Sequence, residues 1–288
     1  MNKISALLAS KLRQATLNIL AIACSLTGLT NAPAHAADTL QFGVFPYLPP
    51  AKLQALFAPI AADLEKALGI KVELSSRSEY ATFSEGLRSQ TFDIAFIQPF
   101  DYPAAHDKYN YLPIARRGES LEALIIVLPD SPIKTIKDLK GKVIANPPSE
   151  AAVSYLTSMS LLDASIDPIK SVKREFGKSH FSCMQSVLVG AADACGTADQ
   201  ALMHFEKEKQ MTAKFRVLHR TPPVAHSLFV IHKRVPTETR ARLQSTILNW
   251  QQTEAGRKII ENGQFIPFVA AQDKDYQTVR NAMRRISH

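Results

Sequence analysis

Residues 40–74 read LQFGVFPYLPPAKLQALFAPIAADLEKALGIKVEL, and how this stretch is parsed decides the fold. Residues 40–45 form an apolar run suited to a strand. Leu53, Leu56, Phe57, Ile60, Leu64 and Leu68 then recur three and four apart, the spacing that lines up one face of a helix. Gly69 stands where such a helix should stop in a left-handed residue, and residues 70–74 read as a second strand. Strand, helix and strand in succession predict a β-α-β unit.

The alternation continues. A short helix is expected from about Tyr80 to Arg88, and residues 92–97 are nearly all apolar, as in a strand covered on both faces. Further strands are expected at 124–128, 142–145, 172–176, 194–197, 216–218 and 228–231, with helices between most of them, one starting near Ser149. From Pro236 onward the pattern is helical, with Gly256 and Gly263 as punctuation. The repeated β-α pattern predicts parallel sheets with helices on both faces, without internal repeat or low-complexity linker.

Composition narrows the function. The chain has 288 residues, 46% hydrophobic and 21% charged, with 11 Gly and 17 Pro, which excludes disordered, collagen-like and coiled-coil classes. The net charge of +8 is scattered among acids with no basic-aromatic motif, so no nucleic-acid partner is expected. No HExxH, GxSxG, P-loop or GxGxxG occurs, and no carboxylates form an evident acid-base pair. A non-enzymatic protein without cofactor or resident metal is expected.

Residues 1–36 read as an export signal. Lys3, Lys11 and Arg13 precede an apolar stretch from Leu17 to Leu29, and the segment ends in Ala34-His35-Ala36. A membrane anchor is the alternative, but Ser25, Thr27, Gly28 and Thr30 interrupt the stretch. Cys24 lacks the upstream leucine of a lipoprotein signal. Cleavage would lower the net charge to +5 and deliver a soluble protein to the periplasm.

Export changes how the two remaining cysteines read. In an oxidising compartment Cys183 and Cys195 are expected to pair. From Cys183 a helix to Gly190 climbs about 10 Å, and a strand beginning near Asp193 returns about the same distance, bringing the sulfurs level. A soft-metal or metalloid thiol site, or a nucleophile formed by Cys183 with His180, are the sharper alternatives.

Sheets of this type hold ligands beyond the carboxyl ends of their strands. Tyr47 follows the first strand, Ser78 to Tyr80 the second, and Gln98-Pro99 the third. Asn146-Pro147-Pro148-Ser149 and the segment from Gly177 to His180 each lead into a helix, whose free N–H groups suit an anion. Ser149 and Ser179 can each serve as an N-cap, His180 can donate to an oxyanion or cap its helix, and Tyr80 can close a pocket or lie half-buried.

The segment 134–145, KTIKDLKGKVIA, resembles many type-2 periplasmic solute-binding proteins. Leu40 to Val44, Tyr80-Ala81, Asp93 to Phe96, Ser179-His180, Ala192 to Ala194 and Arg220 to Pro223 match, in order, the phosphate/phosphite/phosphonate-binding (PhnD-like) family of ABC transporters. The resemblance covers nearly all of the chain after residue 36. It implies an α/β fold of two lobes with mixed sheets flanked by helices, a two-stranded hinge and a ligand in the cleft. Residues 37–122 and 226–288 would form lobe I, and 123–225 lobe II.

Carried over by position, Tyr80, Ser149 and His180 match ligand-contacting residue types of phosphonate binders. Glu150 replaces a hydroxyl, and a carboxylate at a helix start competes with a ligand anion for the dipole. Leu121 stands for the family's aromatic near the hinge, while Gln200 and His226 stand for its amine-holding carboxylates, with Asp199 one residue away. Aminoethylphosphonate is therefore disfavoured. The candidate ligand set is Tyr47, Tyr80, Gln98, Ser149, Glu150, Ser179, His180 and His226. The expectation is a monomeric ABC-transporter solute-binding protein that takes a small oxyanion and docks on the permease. The alternatives are a ligand sensor that docks on a membrane histidine kinase, for a metalloid or metal species, and a metal-binding version in which lobe closure gathers His180, His226 and Glu150.

Overall fold

A computed structural model describes residues 39–211 and 214–286, so the expected export signal over 1–36 lies outside the described residues. The chain opens with β1 (Thr39–Val44), α1 (Pro50–Leu68), β2 (Lys71–Ser76), α2 (Tyr80–Arg88), β3 (Ile94–Ile97), α3 (Tyr102–Tyr109) and β4 (Tyr111–Arg116). The short β5 (Ser120–Leu121) leads to β6 (Leu124–Val127), a 3-10 turn at Ile136–Leu139, β7 (Val143–Asn146), α4 (Ala152–Asp163), β8 (Lys173–Phe176), α5 (His180–Leu188), β9 (Ala194–Thr197), α6 (Asp199–Glu208) and β10 (Arg216–Arg220). The chain returns through β11 (Val224–Ala225) to β12 (Leu228–His232), α7 (Thr237–Leu248), α8 (Glu254–Gly263), β13 (Val269–Ala270) and α9 (Gln277–Ile286).

The strands form two large sheets. The first has six strands in the order β13-β4-β12-β3-β1-β2, the second five in the order β10-β6-β9-β7-β8. The parallel pairing expected from the alternation runs inward from one edge of each sheet, as β2-β1-β3 and β8-β7-β9. Both sheets are mixed, however. β12 runs antiparallel to β3 and β4, and β6 runs antiparallel to β9 and β10. The cause is connectivity: the chain enters the second sheet and later returns through strands lacking a crossover helix, which arrive reversed. The crossings lie side by side, since β5 and β11 pair antiparallel in a two-stranded ribbon.

The stripe on α1 buries Leu53, Phe57, Ile60, Leu64 and Leu68 as its spacing requires, and Gly69 ends it at φ 68°. These side chains join Phe42, Phe96, Phe229 and Trp250 in the core of the first sheet. In the second sheet Leu124 and Ile126 face one core while Ile125 and Val127 face the other, the period of two of a strand covered on both faces. Helix α4 packs in two directions. Leu161 joins a core of the second sheet, whereas Val153, Leu156 and Met159 join the core of the first. That explains why nine of its twelve residues are buried and why its hydroxyls at 154, 157, 158 and 160 are buried with them.

The C-terminal reading needs two corrections. β13 interrupts the expected helical run, and Gly256 lies inside α8 against the Trp250 backbone instead of ending a helix. Among the described residues no helix is long and apolar enough to cross a membrane. Cys183 on α5 and Cys195 on β9 are bonded as a disulfide, with Cα atoms 5.7 Å apart.

Candidate functional site

The first sheet delivers one group of side chains at its carboxyl edge. β1 leads into Phe45 and Tyr47, whose rings stack at 4.7 Å, and burial raises the Tyr47 phenol against a smaller opposing effect of Arg117. Tyr80 is the first residue of α2, and its phenol is raised by burial and then by Asp101, Glu150 and Tyr47. β3 ends at Ile97 and presents buried Gln98, whose amide grips the start of α4. Its Nε2 donates to the Glu150 carbonyl at 2.6 Å, and its Oε1 accepts from the Ala152 N–H at 2.8 Å.

Tyr80, Gln98 and Glu150 are thereby gathered around Asp101, which nothing in the sequence marked, and Tyr47 lies beside Tyr80. Burial pushes the Asp101 carboxyl up to about 7, Glu150 adds to this, and the Gln98 amide at 3.4 Å opposes it. Asp101 flanks the first turn of α3 but makes no capping bond with its side chain. Its Oδ2 is sealed from solvent with no hydrogen-bond partner among the described residues. A hydrophilic residue after an apolar strand looks in sequence like any loop acid, so nothing marked it.

A second group lies at the carboxyl edge of the second sheet. Ser179 caps α5, its Oγ accepting from the Ser182 N–H at 3.2 Å. His180 follows, with Nδ1 3.1 Å from the buried Thr197 hydroxyl at the end of β9. Burial pushes His180 down to about 4, so the imidazole is neutral at pH 7 and offers a hydrogen bond without a charge of its own. The charge comes from another residue the sequence did not flag. Arg174 of β8 reaches beneath α4, donating to the Ser158 hydroxyl at 2.5 Å, and to Asn146 Oδ1 and the Ser154 carbonyl, each at 3.0 Å. Burial lowers its pKa to about 10, which leaves it cationic at neutral pH, and no carboxylate pairs with it among the described residues. A cation beside the first turn of a helix opposes the helix dipole, so both enhance the positive potential there.

Ser149 is a correction. It lies in a turn, α4 begins only at Ala152, and the flanking residue is Ala151, which has no capping side chain. Pro147-Pro148 hold the chain extended, and Ser154 Oγ donates back to the Pro148 carbonyl at 2.9 Å. Ser149 Oγ instead donates to the Glu150 carboxylate at 2.9 Å, and both side chains are exposed. His226, just after β11, accepts from the Ser227 N–H at 2.7 Å, and burial followed by Arg117 holds it well below the usual imidazole range. Asp199 pairs with Arg220 at 2.8 Å, and Leu121 packs into the first core.

His180, His226 and Glu150 do not converge as ligands among the described residues. The cluster that does is His106, Asp107 and Asp273, and there the Arg280 guanidinium already bonds both carboxylates, at 2.8 and 2.7 Å. The bridged sulfurs likewise leave no thiol for a metalloid site or a nucleophile.

Comparison with known proteins places this geometry. Residues 42–276 match the family model described as ABC transporter, phosphonate, periplasmic substrate-binding protein. The phosphonates-binding periplasmic protein of Escherichia coli strain K12 is 23% identical over 263 residues, covering 86% of this chain and 78% of that protein. Among solved structures, PhnD1 from Prochlorococcus marinus in complex with methylphosphonate superposes with a TM-score of 0.76 at 21% identity, covering 87% of this chain and 98% of that one. A binding protein component of an ABC phosphonate transporter from Pseudomonas aeruginosa gives 0.74 at 18% identity, covering 86% of each chain. The fold is that of a type-2 periplasmic binding protein, and the chain belongs to the family of periplasmic substrate-binding proteins of phosphonate ABC transporters.

Proposed function

We propose that this protein captures a small phosphorus oxyanion of the phosphonate class in a cleft between two lobes and hands it, without turnover, to a membrane permease. Lobe I corresponds to 37–122 with 226–288 and lobe II to 123–225, and the ribbon of β5 and β11 is the hinge. The oxyanion rests against the starts of α4 and α5, with His180, Tyr80 and the turn at Ser149 around it. Ser179 orients His180 by capping its helix, and Tyr47, Gln98 and His226 line the opposite wall. The protein acts as a monomer after export through the signal at 1–36.

The observation that carries this reading is the uncompensated Arg174 cation beside a helix start. A buried cation without a counter-ion is costly, and a bound anion removes that cost. The test is a melting experiment with methylphosphonate, phosphite, phosphate and sulfate. A ligand at one hundred times Kd adds about 2.7 kcal/mol, which for a chain of this size raises Tm by roughly 5–10 °C. No shift with any of these anions would remove the ligand class.

A further inference from the structure

Asp101 is the side chain at the seam between the two sheets whose chemistry is left incomplete. Its Oδ1 receives only the Gln98 amide, at 3.4 Å, and its Oδ2 has no partner. Tyr109 of α3 borders the same recess as Asp101. Tyr80 faces Asp101 from the start of α2, Glu150 from the turn before α4, and Tyr155 from α4, where that ring stacks on Phe100 at 4.7 Å. Glu85 and Arg88 line the same recess between α2 and α3, but they bond each other at 2.8 Å. No cation among the described residues pairs with Asp101, and the acid nearest it, Glu150, is of the same sign. A sealed carboxylate oxygen among neutral phenols and a second carboxylate needs a proton donor. The residues that border Asp101, namely Tyr80, Gln98 and Glu150, are also those that border the start of α4.

We propose that Asp101 is a specificity-determining residue that accepts a hydrogen bond from the acidic P–OH of a phosphonate monoanion, and thereby turns away alkylsulfonates, which carry no such proton. The inference rests on the phosphonate reading of the site. The complex holds one proton between a ligand oxygen and Asp101, and a phosphonate brings that proton with it. A sulfonate must draw the proton from solvent onto Asp101. In an open, hydrated cleft that carboxyl ionises in the ordinary range near 3.9, so at neutral pH this is unfavourable. Burial, which pushes the carboxyl up to about 7 in this structure, favours the same one-proton complex. A ligand ammonium would also satisfy Oδ2, and methylphosphonate, which has none, separates the two donors.

The experiment is calorimetric titration of the intact protein with methylphosphonate and with methanesulfonate, from pH 5 to pH 9. Wild type should prefer methylphosphonate at least a hundredfold at pH 7, and the preference should shrink toward pH 5. Methylphosphonate affinity should fall about tenfold per pH unit once the free ligand has lost its second proton. In Asp101→Asn the amide offers a donor of its own. The pH slope should flatten and the preference should narrow to within tenfold, at unchanged Tm. Equal affinity of wild type for the two ligands overturns the proposal while the oxyanion reading stands, and this measurement needs no variant to fold. A variant that keeps the wild-type slope overturns it as well. If methylphosphonate binds at no pH, both the proposal and the phosphonate reading fail.

Discussion

Arg174 stands in Lys173-Arg174-Glu175-Phe176, which in sequence looks like any charged strand at the edge of a sheet, and β8 is indeed an edge strand. Its neighbour Lys173 behaves as that pattern suggests, pairing with Glu175 at the surface. Arg174 turns inward beneath α4, with its guanidinium 4.7 Å from the Phe176 ring. Nothing in a four-residue charged strand distinguishes the two cations; only the helix laid across the sheet does. Arg174→Met should therefore weaken methylphosphonate binding by at least tenfold, about 1.4 kcal/mol. Its effect on Tm should be small, because relief of a desolvated charge and loss of donors to Asn146 and Ser154 oppose each other. Titration calorimetry beside a melting curve checks both, and unchanged affinity would show that the cation does not act on the ligand.

At the level of elements, what was readable is what carries a period. The stripe of α1, the apolar run of β3 and the α5 turn to β9 that brings the cysteines level all follow from spacing. Elements without a period escaped. β5, β11 and β13 are two residues each, β4 contains Pro113, and α3 is eight residues long with three of them buried. The proline pair before α4 displaced the helix start by three residues, and with it the role expected of Ser149. β9 shows how tightly such short elements are fitted. A Cβ on Gly196 would collide with the Thr157 hydroxyl of α4 and approach Asn146 Oδ1 to 3.2 Å. Gly196→Ala should thus destabilise the protein by about 1–3 kcal/mol, read from the urea midpoint. Thr157→Ala removes the obstructing hydroxyl, which has no hydrogen-bond partner among the described residues, and should restore most of that loss in the double variant. Additive losses would mean that the two positions do not collide.

At the scale of the whole molecule, the two sheets meet along α4, whose one face belongs to each core. Arg285 of α9 reaches Asp163 at the far end of that helix, at 2.7 Å. At the near end the Gln98 amide bonds both a carbonyl and an N–H of the α4 start. That N–H, on Ala152, is one that an oxyanion bound as proposed would use, so one side chain both fastens the bodies together and, on that proposal, competes with the ligand. Two hydrogen bonds of about 1 kcal/mol each correspond to roughly a thirtyfold bias toward the fastened arrangement. Gln98→Ala should therefore populate a more open ligand-free form, seen as a larger radius of gyration in small-angle scattering, and methylphosphonate should return it to the wild-type value. The core residues of the first sheet are untouched by this change, so the melting curve should stay cooperative. Identical scattering from the two ligand-free proteins would mean that the packing of α4, and not the amide, holds the bodies in contact.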